Sequence, residues 1–149
     1  MVRVSPRVRP ATPHDLDAVW SLDRAFATSF HPVRETFEAS FVSLLREKDA
    51  LLIVAEAEGE TIVGYLLAHC HGTFLANGPV AWVEEVMVDE QWRRQGVGEA
   101  LILAAEAWAQ REGAAYVALA SRRAGAFYTA LNYEDSATFF KKTLINGGN

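Results

Sequence analysis

The stretch Arg93-Arg94-Gln95-Gly96-Val97-Gly98 lies between an apolar, strand-like run ending Val86-Met87-Val88 and an amphipathic, helix-like run. At a helix start the first N–H groups have no intrahelical acceptor, and the positive end of the dipole points outward, so an anion is stabilised there. Two residues without side chains let a ligand approach the backbone, and two arginines add charge. A Gly-x-Gly alone also shapes an ordinary turn, but between strand and helix the pattern reads as an anion site. Glu84 and Glu85 are adjacent carboxylates within an otherwise apolar strand. Alternation puts them on opposite faces unless a bulge intervenes. His69 and His71 share one strand face at a spacing able to bind metal, yet no third ligand is evident, so they are expected to be structural or substrate-lining.

The elements that would position these groups follow from periodicity. Residues 4–9 read as a short strand, and Thr12-Pro13-His14-Asp15 as a helix start with a capping hydroxyl, a first-turn proline and an early carboxylate. Leu16, Val19, Trp20, Phe26, Ala27 and Phe30 carry helical spacing to about residue 30, where His31-Pro32 interrupts. Phe37, Phe41, Leu44 and Leu45 stripe a second helix. Residues 51–55 and 62–71 form a hairpin about the turn Glu58-Gly59-Glu60, and residues 80–88 return as a strand. Val97, Leu101, Ala104, Ala105 and Trp108 share a helical face, with Gly113 as its stop, and residues 116–120 make the next strand. Strand, helix and strand in that order give a βαβ unit with parallel strands. Residues 124–131 are expected to be a short helix and 137–144 a final strand. The fold class is α/β, or α+β by element order: a mixed central sheet, antiparallel in its first half, with a parallel βαβ junction and flanking helices.

The 149 residues are the size of one domain, expected over residues 1–149, and 50% hydrophobic with 22% charged is ordinary globular composition. A net charge of −5 argues against broad attraction to nucleic acid or anionic lipid. No run of about 18 apolar residues and no signal-like apolar core is present, so a cytoplasmic address is expected. Cys70 is the single cysteine, which excludes an intramolecular disulfide and a cysteine metal cluster.

A dinucleotide is the natural rival ligand for the loop, with Arg122 as a 2′-phosphate partner. Three details oppose it: the third glycine of that fingerprint falls on Leu101, residues 89–95 separate strand from glycines, and the antiparallel first half is wrong for a doubly wound sheet. A Walker lysine is absent too. Instead Val86-Met87-Val88-Asp89, a short spacer and Arg93-Arg94-Gln95-Gly96-Val97-Gly98 resemble the acetyl-CoA motif of the GCN5-related N-acetyltransferases (GNAT), Gln/Arg-x-x-Gly-x-Gly/Ala. Ala126-Phe127-Tyr128-Thr129-Ala130-Leu131-Asn132-Tyr133-Glu134 resembles the family's terminal helix and turn, with Asn132 where a glycine is usual. Arg122 stands where many members carry a cofactor-contacting Asn. The segment with Phe139-Phe140-Lys141-Lys142 is similar to the final strand of members that acetylate small amines, including aminoalkylphosphonate acetyltransferases.

The resemblance implies an acetyl-CoA-dependent transfer to the primary amine of a small molecule or peptide, by direct attack in a ternary complex. It implies that the pantetheine arm pairs with the backbone of Val86, Met87 and Val88, and that the pyrophosphate falls on Arg93, Arg94, Gln95, Gly96, Val97, Gly98 and Glu99. An amine with a lysine-like pKa of about 10.4 arrives protonated, so a base is needed. Glu84 and Glu85 are the candidates, Glu84 favoured by similarity to polyamine acetyltransferases. Tyr128 stands at the place of the family's general acid. A non-catalytic acyl-CoA sensor is the alternative, a dinucleotide-binding domain a more distant one. The C-terminal strands are the expected place for a homodimer contact.

Overall fold

The structure, a computed structural model, describes residues 5–27 and 30–145. Its strands are β1 (Arg7–Pro10), β2 (Ala50–Ala57), β3 (Thr61–Gly72), β4 (Pro79–Val88) and β5 (Val117–Leu119), and its helices α1 (Leu16–Phe26), α2 (Arg34–Arg46), α3 (Val97–Arg111) and α4 (Gly125–Ala130). The five strands form one sheet in sequence order. β1 to β4 pair antiparallel, and β4 pairs β5 in parallel around the crossover through α3. The expected fold class is the observed one.

The sheet separates two apolar layers. On one face α3 places Val97, Leu101, Ile102, Ala105 and Trp108 against Ile53, Ala55, Leu66, Ala81 and Val83. On the other, Val19 and Leu22 of α1 and Phe41 of α2 cover Val54 and Tyr65. Gly64 is where α3 comes nearest the sheet: a Cβ there would meet the Met87 carbonyl oxygen at 2.9 Å and the side chains of Leu101 and Val97 at 3.2 Å. α3 ends as its sequence indicates. Gly113 takes φ 76°, its N–H bonds Gln110 O, and that of Ala114 bonds Ala109 O, closing the carbonyls of the last turn.

Two expectations are corrected. α1 ends at Phe26, short of residue 30. Residues 133–145 form no strand. Phe139, Phe140, Leu144 and Ile145 have strand propensity, but all are exposed and β5 pairs only with β4. A strand exists through a partner ladder, which apolar content cannot supply. The strand on which a homodimer contact was expected is therefore not formed. Among the described residues no helix is long and apolar enough to cross a membrane.

The entry to α1 is fixed by an ion pair. Asp15 is only 4% exposed, and Arg9 of β1 grips both its carboxylate oxygens, at 2.8 and 2.9 Å, while also reaching Glu56 of β2 at 3.1 Å. Arg9 holds the Asp15 carboxyl below its usual range. A carboxylate so depressed stabilises the fold above its unfolded pKa, and the contribution fades as pH falls through the folded value. Asp15→Asn should therefore cost about 3 kcal/mol at pH 7, since it leaves Arg9 without its main partner. Denaturant titration at pH 7 and again near pH 3 checks this: the gap to the unmodified chain should narrow in acid.

Candidate active site

Parallel pairing stops at Val83 with Leu119, whereas β4 runs on to Val88. Residues 84–88 thus present an unpaired backbone edge on the β5 side, open to an extended ligand. Val86, Met87 and Val88 lie on this length, all partly buried.

The chain then passes into a tied-down loop. The Asp89 side chain accepts from Gln91 N at 2.9 Å and caps a 3-10 turn over Glu90–Trp92. Gln95 Nε2 donates to Gln91 O at 3.1 Å, and the Arg93 guanidinium sits 4.8 Å from the centre of the Phe26 ring. Arg94 and Gly96 both take left-handed backbone, φ 62° and 83°, and Gly96 caps α3. Val97 is buried, Gly98 lies beside Phe127, and Glu99 is exposed in the first turn of α3. These residues suit the phosphates of a coenzyme: free helix-start N–H groups, a glycine that a side chain would strain, and arginine charge at one mouth.

β4 carries a bulge where its pairing with β5 ends. Leu67 faces Glu85 and Ala68 faces Val83, which leaves Glu84 as the extra residue. Glu84 is exposed. Glu85 instead turns to the α1 and α2 side, where Tyr65 Oη donates to its Oε1 at 2.6 Å and also lies 3.2 Å from Asp23 Oδ1. Burial pushes the Glu85 carboxyl above its usual range. The Tyr65 hydrogen bond pulls it back, and the charges of Asp23 and Glu84 add to the rise. A cavity of about 90 Å³ opens here, lined by Glu85, Asp23, Tyr65, Ser40 and apolar side chains. It shares Ser40 and Leu44 with a wider groove that runs to Glu47 and His69. The bulge sets Glu85 into the cavity and leaves Glu84, the carboxylate favoured from the sequence, exposed beside it.

Tyr128 lies on the opposite side of the sheet, packed against the α3 layer and edge-on to Phe127 and Tyr133, 4.9 and 5.8 Å between ring centres. Burial raises its phenol, which keeps it protonated. Its position is set by the end of α4. Asn132 adopts φ 70°, Asn132 N bonds Thr129 O and Tyr133 N bonds Tyr128 O, while Tyr133 Oη donates to Glu106 of α3 at 2.8 Å. Asn132 thus does the work of the missing glycine. Arg122 is exposed beyond β5, and His69 lies 3.6 Å from Glu47, without a metal-holding group of three among the described residues.

Asp23 and Tyr65 are the residues that sequence reasoning missed. Asp23 carried a signal: it follows Leu16 by seven positions and Val19 by four, where the buried stripe of α1 should place an apolar residue.

A mixed sheet whose last parallel pair gives way to an open strand edge, beside a basic helix start, defines a coenzyme-binding acyl-transfer scaffold. The acetyltransferase (GNAT) family model matches residues 16–133. An aminoglycoside N(6')-acetyltransferase type 1 of Stenotrophomonas maltophilia is 31% identical, over 97% of both chains. Among solved structures, glucosamine-6-phosphate N-acetyltransferase from Arabidopsis thaliana superposes with a TM-score of 0.84 at 18% identity, covering 95% of this chain and 100% of that one. The aminoglycoside N-acetyltransferase AAC(6')-Iy in complex with CoA gives 0.78 at 19%, covering 97% and 99%. The chain belongs to the acetyltransferase (GNAT) family. It is an N-acetyltransferase, and its acetyl donor is acetyl-CoA.

The loop geometry carries a direct test. A β-branched residue at the left-handed Gly96 costs about 1–2 kcal/mol, so Gly96→Val should weaken CoA binding roughly tenfold by calorimetry. A Cβ at Gly98 meets the Phe127 ring at 3.4 Å, an ordinary contact. Gly98→Ala should leave the thermal midpoint close to that of the unmodified chain.

Proposed function

We propose that the enzyme acetylates a primary amine of a small cationic molecule, the amine attacking acetyl-CoA directly in a ternary complex. The observation that carries this reading is the carboxylate-lined cavity at Glu85, set beside the open edge of β4. An ammonium ion is attracted there, and an amine released from it is within reach of the strand along which the donor would lie. Aminoglycosides are the first acceptor class to test, since the relative at 31% identity bears that activity in its name.

In this reading the backbone of Val86, Met87 and Val88 receives the pantetheine arm, and residues 93–99 receive the pyrophosphate. Acetyl-CoA supplies the activated carbonyl. Glu85 takes a proton from the ammonium: an N–H bond breaks, an O–H bond forms, and the freed lone pair bonds to the carbonyl carbon. The carbon–sulfur bond breaks, and Tyr128 protonates the departing sulfur. Glu84, exposed at the bulge, adds negative charge at the mouth and does not accept the proton. No acyl-enzyme is needed. Burial, with the charges of Glu112 and Asp49, pushes the thiol of Cys70 up and away from the reactive thiolate.

Free-thiol release from acetyl-CoA, measured against aminoglycosides, polyamines, aminophosphonates, amino acids and peptide N-termini, tests the acceptor class. Turnover confined to peptide N-termini would overturn it. Tyr128→Phe should lower kcat by about ten- to a hundredfold with the KM for acetyl-CoA little changed. Glu85→Gln should cost about a hundredfold in kcat/KM and Glu84→Gln only a few-fold. The reverse order would return the base to Glu84.

A further inference from the structure

The Tyr65 hydroxyl sits between two carboxylates with a single proton to give. It is 2.6 Å from Glu85 Oε1 and 3.2 Å from Asp23 Oδ1, and Tyr65 itself is 2% exposed, so the arrangement is fixed by the core. The phenol is held protonated by burial and by these two acids, so it acts only as a donor. The shorter contact, to Glu85, takes the larger share of that proton, and Asp23, which faces Glu85, keeps the longer and weaker bond. The three groups come from three elements, α1, β3 and β4, and converge on one wall of the cavity. From α2 that wall receives Ser40, which does not titrate, and from β4 the only other charged neighbour is Glu84.

We propose that Asp23 and Tyr65 are positioning residues of the acetyl transfer, acting on Glu85 in opposite senses: the hydroxyl aims and tempers its carboxylate, and the Asp23 carboxylate makes it hold a proton more tightly. The inference rests on the reading of Glu85 as the base. A buried carboxylate facing an acid alone would stay protonated and could not accept from an ammonium; one facing a donor alone would be a weak base. Placed between the two, Glu85 has a proton affinity raised by burial and by its acidic neighbour and moderated by the Tyr65 hydroxyl, so it can both accept a proton and give it up again. Tyr65 touches no reacting atom in this scheme. Its effect passes through Glu85.

The opposition in sign separates this role from a structural one. Carbon-13 NMR of protein labelled at the Asp and Glu carboxyl carbons follows Glu85 directly, its resonance assigned by its loss in Glu85→Gln, and needs no acceptor. Asp23→Asn should move the Glu85 midpoint down and Tyr65→Phe should move it up, each by about half a unit or more. The acid limb of kcat/KM should move in the same two directions with a 6'-amino aminoglycoside. Midpoints that stay put, or that move together, overturn the proposal. Should Tyr65→Phe fail to fold, the downward shift in Asp23→Asn, at a partly exposed position, still decides it. If the midpoints move as expected but Glu85→Gln keeps full turnover, the coupling stands and the assignment of the base falls.

Discussion

The last pair between the parallel strands, Val83 with Leu119, is the constraint on which the rest of the structure turns. β5 is three residues long, so β4 outruns it and residues 84–88 face a gap. Backbone groups at such an edge need partners, and the start of α3 supplies a second set of N–H groups in the same condition. The two sets are joined by one short connection, residues 89–96, made stiff by the Asp89 cap and by Gln95 on the Gln91 carbonyl. A ligand that is an extended, amide-bearing arm at one end and a pyrophosphate at the other satisfies both at once. That is the form of coenzyme A, which suits the two sets of groups better than a free anion does.

At the same place β4 gains one residue. Ala81 and Val83 point into the α3 layer, so without an extra residue Glu85 would follow them into an apolar core. The bulge at Glu84 reverses the parity. Val86 and Val88 now pack on the α3 layer, while Glu85 and Met87 face α1 and α2. A charged side chain is thereby moved from the apolar α3 layer to one where Tyr65 donates to it. The bulge thus serves stability, and the same shift sets Glu85 against the cavity.

What could be read in the sequence is what depends on local pattern. The strand, loop and helix around Gly96 were legible because left-handed glycine, helix-start donors and periodicity act over a few residues, and the stops at Gly113 and Asn132 for the same reason. The bulge was not. Its signature is a register shift against β3, a fact about two strands, and Glu84 and Glu85 look alike in sequence. Tyr65 was hidden for a related cause, since an aromatic in a β-rich run is ordinary and only pairing reveals what its hydroxyl meets. The final strand failed in the opposite direction: residues 137–144 have the composition of a strand but form no ladder with a neighbour. Local propensity identified elements, and contacts between elements decided their chemistry.

The placement of Tyr128 gives the gap a further meaning. It packs on the α3 side of the sheet and Glu85 on the α1 and α2 side, so a closed sheet would keep the two from acting on the same pair of atoms. Hydrogen-bonded strands admit no side chain or substrate between them. Beyond Val83 β4 has lost its parallel partner, and the sheet is open along that edge. An acyl donor lying in that opening would expose its carbonyl to one face and its sulfur to the other. In the proposed transfer the amine then approaches from the carboxylate side, and the thiol leaves toward the phenol. On that proposal, the direction of transfer follows from where one short strand ends.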